Sequence, residues 1–344
     1  MTDGPNTPLW IHAQQTVFGH RDVVTEFTHT LQQNRLHHAW LLTGPKGIGK
    51  ATLAHQLSRH LLRKADEFHQ PEPEDRIYHE CVSGGHPDLF ILHKDKDPEA
   101  KKNISIQQVR ETSKFIHQTA AHNGWRVVII DAVDDLNDKA ANALLKDLEE
   151  PGKQTLYFLI CHNAHGVLPT LKSRCRQFQM HPIASEILAH HLDQNHPEVP
   201  PKEQAFYTTV CEGRFGLLKD LIDQEGYTIA QNFLTVLLES HTNPSKAPWP
   251  LVKFVQNYAA AKNVEDYKTF EYLYLWWLSQ HVKAVSLKDI SLLNNLPEQA
   301  QKIYQLQEYD AAYWTHHYET FLESTKADQI LNLDRRNILV NALG

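Results

Sequence analysis

The chain has 344 residues, with 22% charged, 41% hydrophobic and a net charge of −7, which allows two or three domains and at least one large core. No apolar run approaches the roughly 20 residues of a membrane span, and residues 1–10 lack the basic patch and apolar stretch of a signal peptide, so a cytoplasmic protein with no membrane partner is expected. The acidic balance argues against a protein that grips DNA unaided through phosphate neutralisation.

The first half alternates short apolar strands with helical patterns, the order of an α/β domain with a mostly parallel sheet. Strands are expected at 39–43, 88–92, 126–130, 156–161 and 177–181. A helix over 51–62 places Leu53, Ala54, Leu57, Leu61 and Leu62 on one face. Segments 65–75 and 95–103 are highly charged and read as loops, and a helix follows from near Ser105. A further helix over 138–150 gathers Ala141, Leu144, Leu145 and Leu148, with Asn137 as N-cap and Pro151-Gly152 as the stop. Beyond Ile183 the strand signals vanish. Residues 185–239 read as several short helices, 241–250 as a Pro- and Ser-rich linker, and 251–343 as helical again. The rings Phe270, Tyr272, Tyr274, Trp276 and Trp277 fit helix packing or a subunit face better than base stacking. Three divisions are therefore expected: 1–183, 184–240 and 241–344.

Gly44-Pro45-Lys46-Gly47-Ile48-Gly49-Lys50 follows a strand and opens a helix, the setting a phosphate-binding loop needs. Gly44, Gly47 and Gly49 let backbone amides curl round an anion, the helix N-terminus adds a positive dipole, and Lys50 reaches for terminal phosphates. The next residue normally supplies a hydroxyl to Mg²⁺, but here it is Ala51, and Thr52 lies about 100° further round the helix. Asp131 closes an apolar strand in the position of the carboxylate that holds the metal's waters. The glutamate that would polarise the attacking water is replaced by Ala132, while Asp134 and Asp135 are displaced along the chain. ATP or ADP binding is left open, and hydrolysis by this chain alone is not expected.

The four cysteines (Cys81, Cys161, Cys175, Cys211) show no paired spacing, so neither a disulfide scaffold nor a zinc ribbon is expected. His190, His191 and His196 cluster in a polar stretch that reads as solvated surface, and no metal site is expected.

From Asp131 to Pro151 (DAVDDLNDKAANALLKDLEEP), and again over 168–175 (LPTLKSRC), the chain resembles the clamp-loader branch of the AAA+ proteins of bacterial DNA polymerase III. Residues 37–44, 84–88 and 124–128 add to the match, which runs through about 17–183. The resemblance implies a five-stranded P-loop domain, a helical lid, and a helical collar pairing with tau/gamma and delta subunits in a five-membered ring. That ring would act on the sliding clamp and primer-template DNA. It also implies that Arg174 of Ser173-Arg174-Cys175 crosses to ATP bound by a neighbouring subunit, so the chain would be an ATPase-silent stator. Departures from the family are as informative. Only Cys81 remains where many members carry four zinc ligands, with His79 and His86 nearby, so no zinc is expected. The arginine by which a lid senses nucleotide is expected just after Gly216, where Leu217 and Leu218 stand, with Arg214 close by. Rival readings are an ATP-hydrolysing tau/gamma-type subunit, a binding module of another replication assembly and a nucleotide kinase. Ala51 and Ala132 argue against the first, the SRC motif and helical tail against the second, and Ala51 and the lack of an arginine-rich lid against the third.

Overall fold

In the computed structural model, which describes residues 18–63, 76–94, 103–121, 124–163, 166–242, 248–259, 264–306, 309–331 and 335–343, the apolar runs pair into one sheet. Its strands are β1 (Ala39–Thr43), β2 (Leu89–His93), β3 (Arg126–Asp131), β4 (Thr155–Cys161) and β5 (Arg176–Gln179). They lie in the order β2-β3-β4-β1-β5, and every pairing is parallel. All five expected strands are present, with ends shifted by a residue or two. β3 takes in Asp131, and β5 stops at Gln179, just short of Pro182, which has no amide to extend the ladder.

The strands read as continuous apolar runs because both faces of the sheet are covered. One face carries helices α1 (Arg21–Gln32), α2 (Lys50–Arg63) and α3 (Arg76–Val82), whose Phe27, Leu53, Leu57 and Cys81 pack on Trp40, Leu42, Val127, Ile129, Phe158 and Ile160. The other carries α4 (Ile106–Ile116), α5 (Asp138–Glu149) and α6 (Pro169–Lys172), packed on Leu41, Val128, Ile130, Tyr157 and Leu159. Successive side chains of β1, β3 and β4 therefore enter opposite cores, as the two-residue period of a strand demands. Each large side chain so buried contributes about 1.5–3 kcal/mol.

Local signals set the helix ends. The Asn137 side chain accepts the Ala140 amide at 2.9 Å, and α5 ends two residues before Pro151. Ser105 and Gln108 form a reciprocal capping box at the start of α4. On α2 the expected Leu53, Ala54, Leu57 and Leu61 are buried, but so are Thr52, His55, Gln56, Ser58, Arg59 and His60. Segment 65–75 and residues 95–102 lie outside the described residues.

The chain divides into two compact units, Met1–Ile183 and Ala184–Gly344. Among its described residues the second holds helices and no strand: α7 (Ser185–Asn195), α8 (Pro201–Val210), α9 (Phe215–Asp223), α10 (Gly226–Thr242), α11 (Pro248–Tyr258), α12 (Val264–Leu287), α13 (Glu298–Leu306), α14 (Ala311–Leu331) and α15 (Arg335–Leu343). The segments expected as lid (184–240) and collar (241–344) share this unit. Phe233 of α10 packs edge-on against Phe270, Tyr274 and Trp277 of α12, so one aromatic core spans the position where the sequence suggests a boundary. Of the expected linker, His241 and Thr242 finish α10 and 248–250 open α11, while 243–247 lie outside the described residues.

Candidate phosphate site and an exposed arginine

The turn between β1 and α2 brings the glycine loop and Lys50 to the C-terminal edge of the sheet, beside Asp131 at the end of β3. Gly44 adopts φ +145°, and a Cβ there would stand 2.4 Å from the Met180 carbonyl oxygen and 2.7 Å from Ile48 Cδ1. Gly49 has open space around it but φ +97°, a backbone state that L side chains rarely adopt. The loop is steadied from α1's N-terminal side, where His20 Nε2 donates to the Ile48 carbonyl at 2.9 Å.

The Lys50 ammonium is buried and donates to the carbonyls of Gly44 and Pro45, both at 2.6 Å. Burial lowers its pKa to about 8, with the nearby Asp131 carboxylate pulling the other way. Burial likewise raises the Asp131 carboxyl to about 6, against the attraction of Lys50. His162, just after β4, places Nε2 3.7 Å from Asp131 Oδ1, and burial followed by the repulsion of Lys50 lowers it to about 4. The imidazole is therefore neutral at pH 7.

The two catalytic positions are apolar and occupied by packing. Ala51 packs against the core on the α2 face, and Ala132 is buried within that same core. The carboxylates further along are already engaged. Asp134 accepts the amides of His162 at 3.0 Å and Asn163 at 3.2 Å, tying β3's end to β4's, and Asp135 pairs with Lys94 at 3.6 Å. The structure thus brings together Gly44, Gly47, Gly49, Lys50 and Asp131, a set that fits phosphate, with no hydroxyl at position 51 and no carboxylate at position 132.

Arg174 lies apart, between α6 and β5, with its side chain one-third exposed. Its Nη1 donates to the Thr170 carbonyl at 2.7 Å and its Nη2 to Glu149 Oε1 at 2.5 Å. Cys175 beside it is turned inward, its thiol on the Leu171 carbonyl at 3.2 Å. In the second unit Arg214 is committed to its own neighbours. It donates to the Tyr272 hydroxyl at 2.5 Å and to the Cys211 carbonyl at 3.1 Å, and Tyr272 passes a hydrogen bond on to the Val210 carbonyl. The rings Phe270, Tyr274, Trp276 and Trp277 are buried, as packing requires. His191 and His196 lie with ring centroids 5.9 Å apart, and no metal-holding cluster occurs among the described residues.

Sequence reasoning missed His20, His162 and Glu149. The first two serve through contacts with residues distant in the chain, and Glu149 appears in sequence only as one of two glutamates ending a helix.

Residues 19–184 match the model of a family described as DNA polymerase III, delta subunit. The DNA polymerase III subunit delta' of Pseudomonas aeruginosa is 42% identical over 140 residues, which cover 41% of this chain and 42% of that protein. The delta' subunit of Escherichia coli is 36% identical over 151 residues, 44% of each chain. A DNA polymerase III gamma subunit of Buchnera aphidicola is 29% identical over 170 residues, 49% of this chain and 45% of its own. The match to each thus spans less than half the relative's length. Among solved structures, a gamma subunit-related protein of Thermotoga maritima aligns over 92% of this chain and 97% of its own at 20% identity, with a TM-score of 0.42.

Proposed function

We propose that this chain, whose residues 19–184 match the model of the DNA polymerase III delta-subunit family, is an AAA+ clamp-loader subunit of the replicative polymerase with a silent nucleotide site. In this reading it stands in a five-membered ring with tau/gamma and delta subunits in the cytoplasm. It delivers Arg174 to ATP held by the adjoining ATPase subunit, so that the sliding clamp is placed on primed DNA. Arginine suits that task because a permanent planar charge stabilises phosphate oxygens as charge develops on them.

The observation that carries the reading is the pair of buried or packed alanines in an otherwise complete phosphate loop. Lys50 and Asp131 are kept, while Ala51 and Ala132 fill the metal and base positions within the core. ATP or ADP in this site would rest on loop amides and Lys50 without metal-assisted turnover. No zinc is required, since Cys81 of α3 is buried as part of the apolar core.

The test is Arg174→Ala in the reassembled loader. Fold and assembly should survive, because an exposed side chain contributes within about 0.5 kcal/mol. DNA- and clamp-stimulated ATP hydrolysis should fall in part, since only one ATP site borders this subunit, and clamp loading should fall further. Lysine should rescue poorly, being a point charge without the fork. Wild-type hydrolysis and loading would reduce Arg174 to a surface residue. Robust turnover by the chain alone, dependent on Lys50, would favour the tau/gamma-type reading instead.

A further inference from the structure

We propose that Glu149 is a latch that stores the Arg174 guanidinium against its own subunit and releases it to the neighbour's phosphate. The inference rests on the reading of Arg174 as a finger. Two features carry it. The first is geometric: the guanidinium is held at both ends by its own chain, with Nη1 on the Thr170 carbonyl of α6 at 2.7 Å and Nη2 on Glu149 Oε1 at 2.5 Å. Ser173 Oγ, which donates to the same Thr170 carbonyl at 3.0 Å, closes the third side at 3.5 Å from Nη1. In this posture the charge is spent inside the subunit.

The second feature is electrostatic. Glu149 is the last residue of α5 and Glu150 follows it, so two carboxylates sit at the negative end of a helix dipole, where anions are disfavoured. The base of α5 cannot drift, because Leu144 and Leu148 are locked beneath the sheet and Asn137 caps its other end. Lys146 is the basic residue of α5's own last turn, and Arg174 brings a second cation to these two carboxylates. The pair is nonetheless built to part: the Arg174 side chain is 33% exposed and that of Glu149 is 50% exposed. An exposed pair holds weakly, and a single carboxylate competes poorly with a polyphosphate carrying several charges at once.

The latch therefore holds the finger back by a modest factor. Removing it with Glu149→Gln should raise turnover at the one ATP site that borders this subunit by about two- to fivefold, the worth of one exposed ion pair, and total turnover of the reassembled loader by a smaller factor. The ATP KM should stay unchanged, because the finger acts where charge develops. In the full-length chain alone, the rate at which phenylglyoxal modifies Arg174, followed by peptide mass spectrometry, should rise by a similar factor. Glu150→Gln, whose carboxylate does not touch the guanidinium, should leave both readouts at the wild-type value. The double variant Glu149→Gln/Arg174→Ala should match Arg174→Ala.

If Arg174→Ala lowers turnover while Glu149→Gln also lowers it, the carboxylate orients the finger and the latch is overturned. If Glu149→Gln changes neither turnover nor modification, the contact is a surface ion pair only and the proposal falls. If Arg174→Ala itself leaves turnover untouched, the finger reading fails first, and the latch loses its purpose whatever the modification rates show.

Discussion

Replacing Asp131 by Asn should make the folded chain more stable at neutral pH, although it strips a charge from the phosphate site. The carboxyl is only 14% exposed, and its pKa moves from the ordinary 3.8 to about 6, because burial outweighs the attraction of Lys50. That interval corresponds to about 3 kcal/mol lost in keeping the group ionised, at about 1.4 kcal/mol per tenfold. The sign follows from proton counts. Between pH 3.8 and 6 the folded state binds the proton that the unfolded state has released, so stability falls as pH rises through that window. The penalty is full above pH 6 and vanishes below the ordinary value. Asn removes it, for a gain of up to about 3 kcal/mol in which the attraction of Lys50 is already counted. His162 acts in the opposite sense. Its pKa is lowered to about 4, so the unfolded imidazole takes up a proton first and stability drops as pH falls through 6.5. Both proteins carry that slope, so the difference between them isolates Asp131. Hydrogen exchange of the β1, β3 and β4 amides in the full chain, measured at several pH values from 4 to 7, reads the opening energy of the first unit. An Asn variant that is less stable at pH 7, or equally stabilised at pH 4 and 7, would refute the reasoning.

Gly44→Ala should destabilise the first unit by about 2–4 kcal/mol, from the clash with the Met180 carbonyl and the strained φ, and a thermal melt checks it. A change under about 0.5 kcal/mol would mean the loop shifts without resistance. Purified alone, the chain should release phosphate from ATP no faster than its Lys50→Ala variant, as a coupled-enzyme assay would report. Elemental analysis should find zinc well below one equivalent, since tetrahedral zinc needs four donors and no such cluster occurs among the described residues.

What the sequence made legible is what short spacing encodes. The phosphate loop could be read because glycine and lysine spacing has a backbone reason, and the strands because two covered faces leave continuous apolar runs. The Asn137 cap and the Pro151 stop act within a few residues and were equally readable. Contacts made by chain reversal were not. Glu149 and Arg174 are 25 residues apart, His20 and the Ile48 carbonyl 28, and nothing in either segment announces the partner. The polar residues of α2 show the same limit. An amphipathic pattern predicts one buried face, yet His55, Gln56, Arg59 and His60 are also covered. In the second unit the Pro- and Ser-rich stretch reads as a boundary. Phe233 and Phe270 pack across that position, an aromatic contact between the helices on either side that no local signal reports.

The state of the phosphate site follows from setting its kept and lost residues side by side. Ala51 and Ala132 are accommodated by packing and carry no electrostatic penalty. Lys50 and Asp131 are held charged in a buried place that shifts both against ionisation. Apolar residues of similar volume commonly serve a fold as well as or better than a buried pair. Folding therefore gives no reason for these two charges, whereas an anion brought to the loop does, since it would take up the Lys50 donors now turned back on Gly44 and Pro45. On this argument we propose that the site holds phosphate without cleaving it. Binding of ADP without magnesium, lost in Lys50→Ala and unaffected by chelator, would bear that out, and a strict need for magnesium would contradict it.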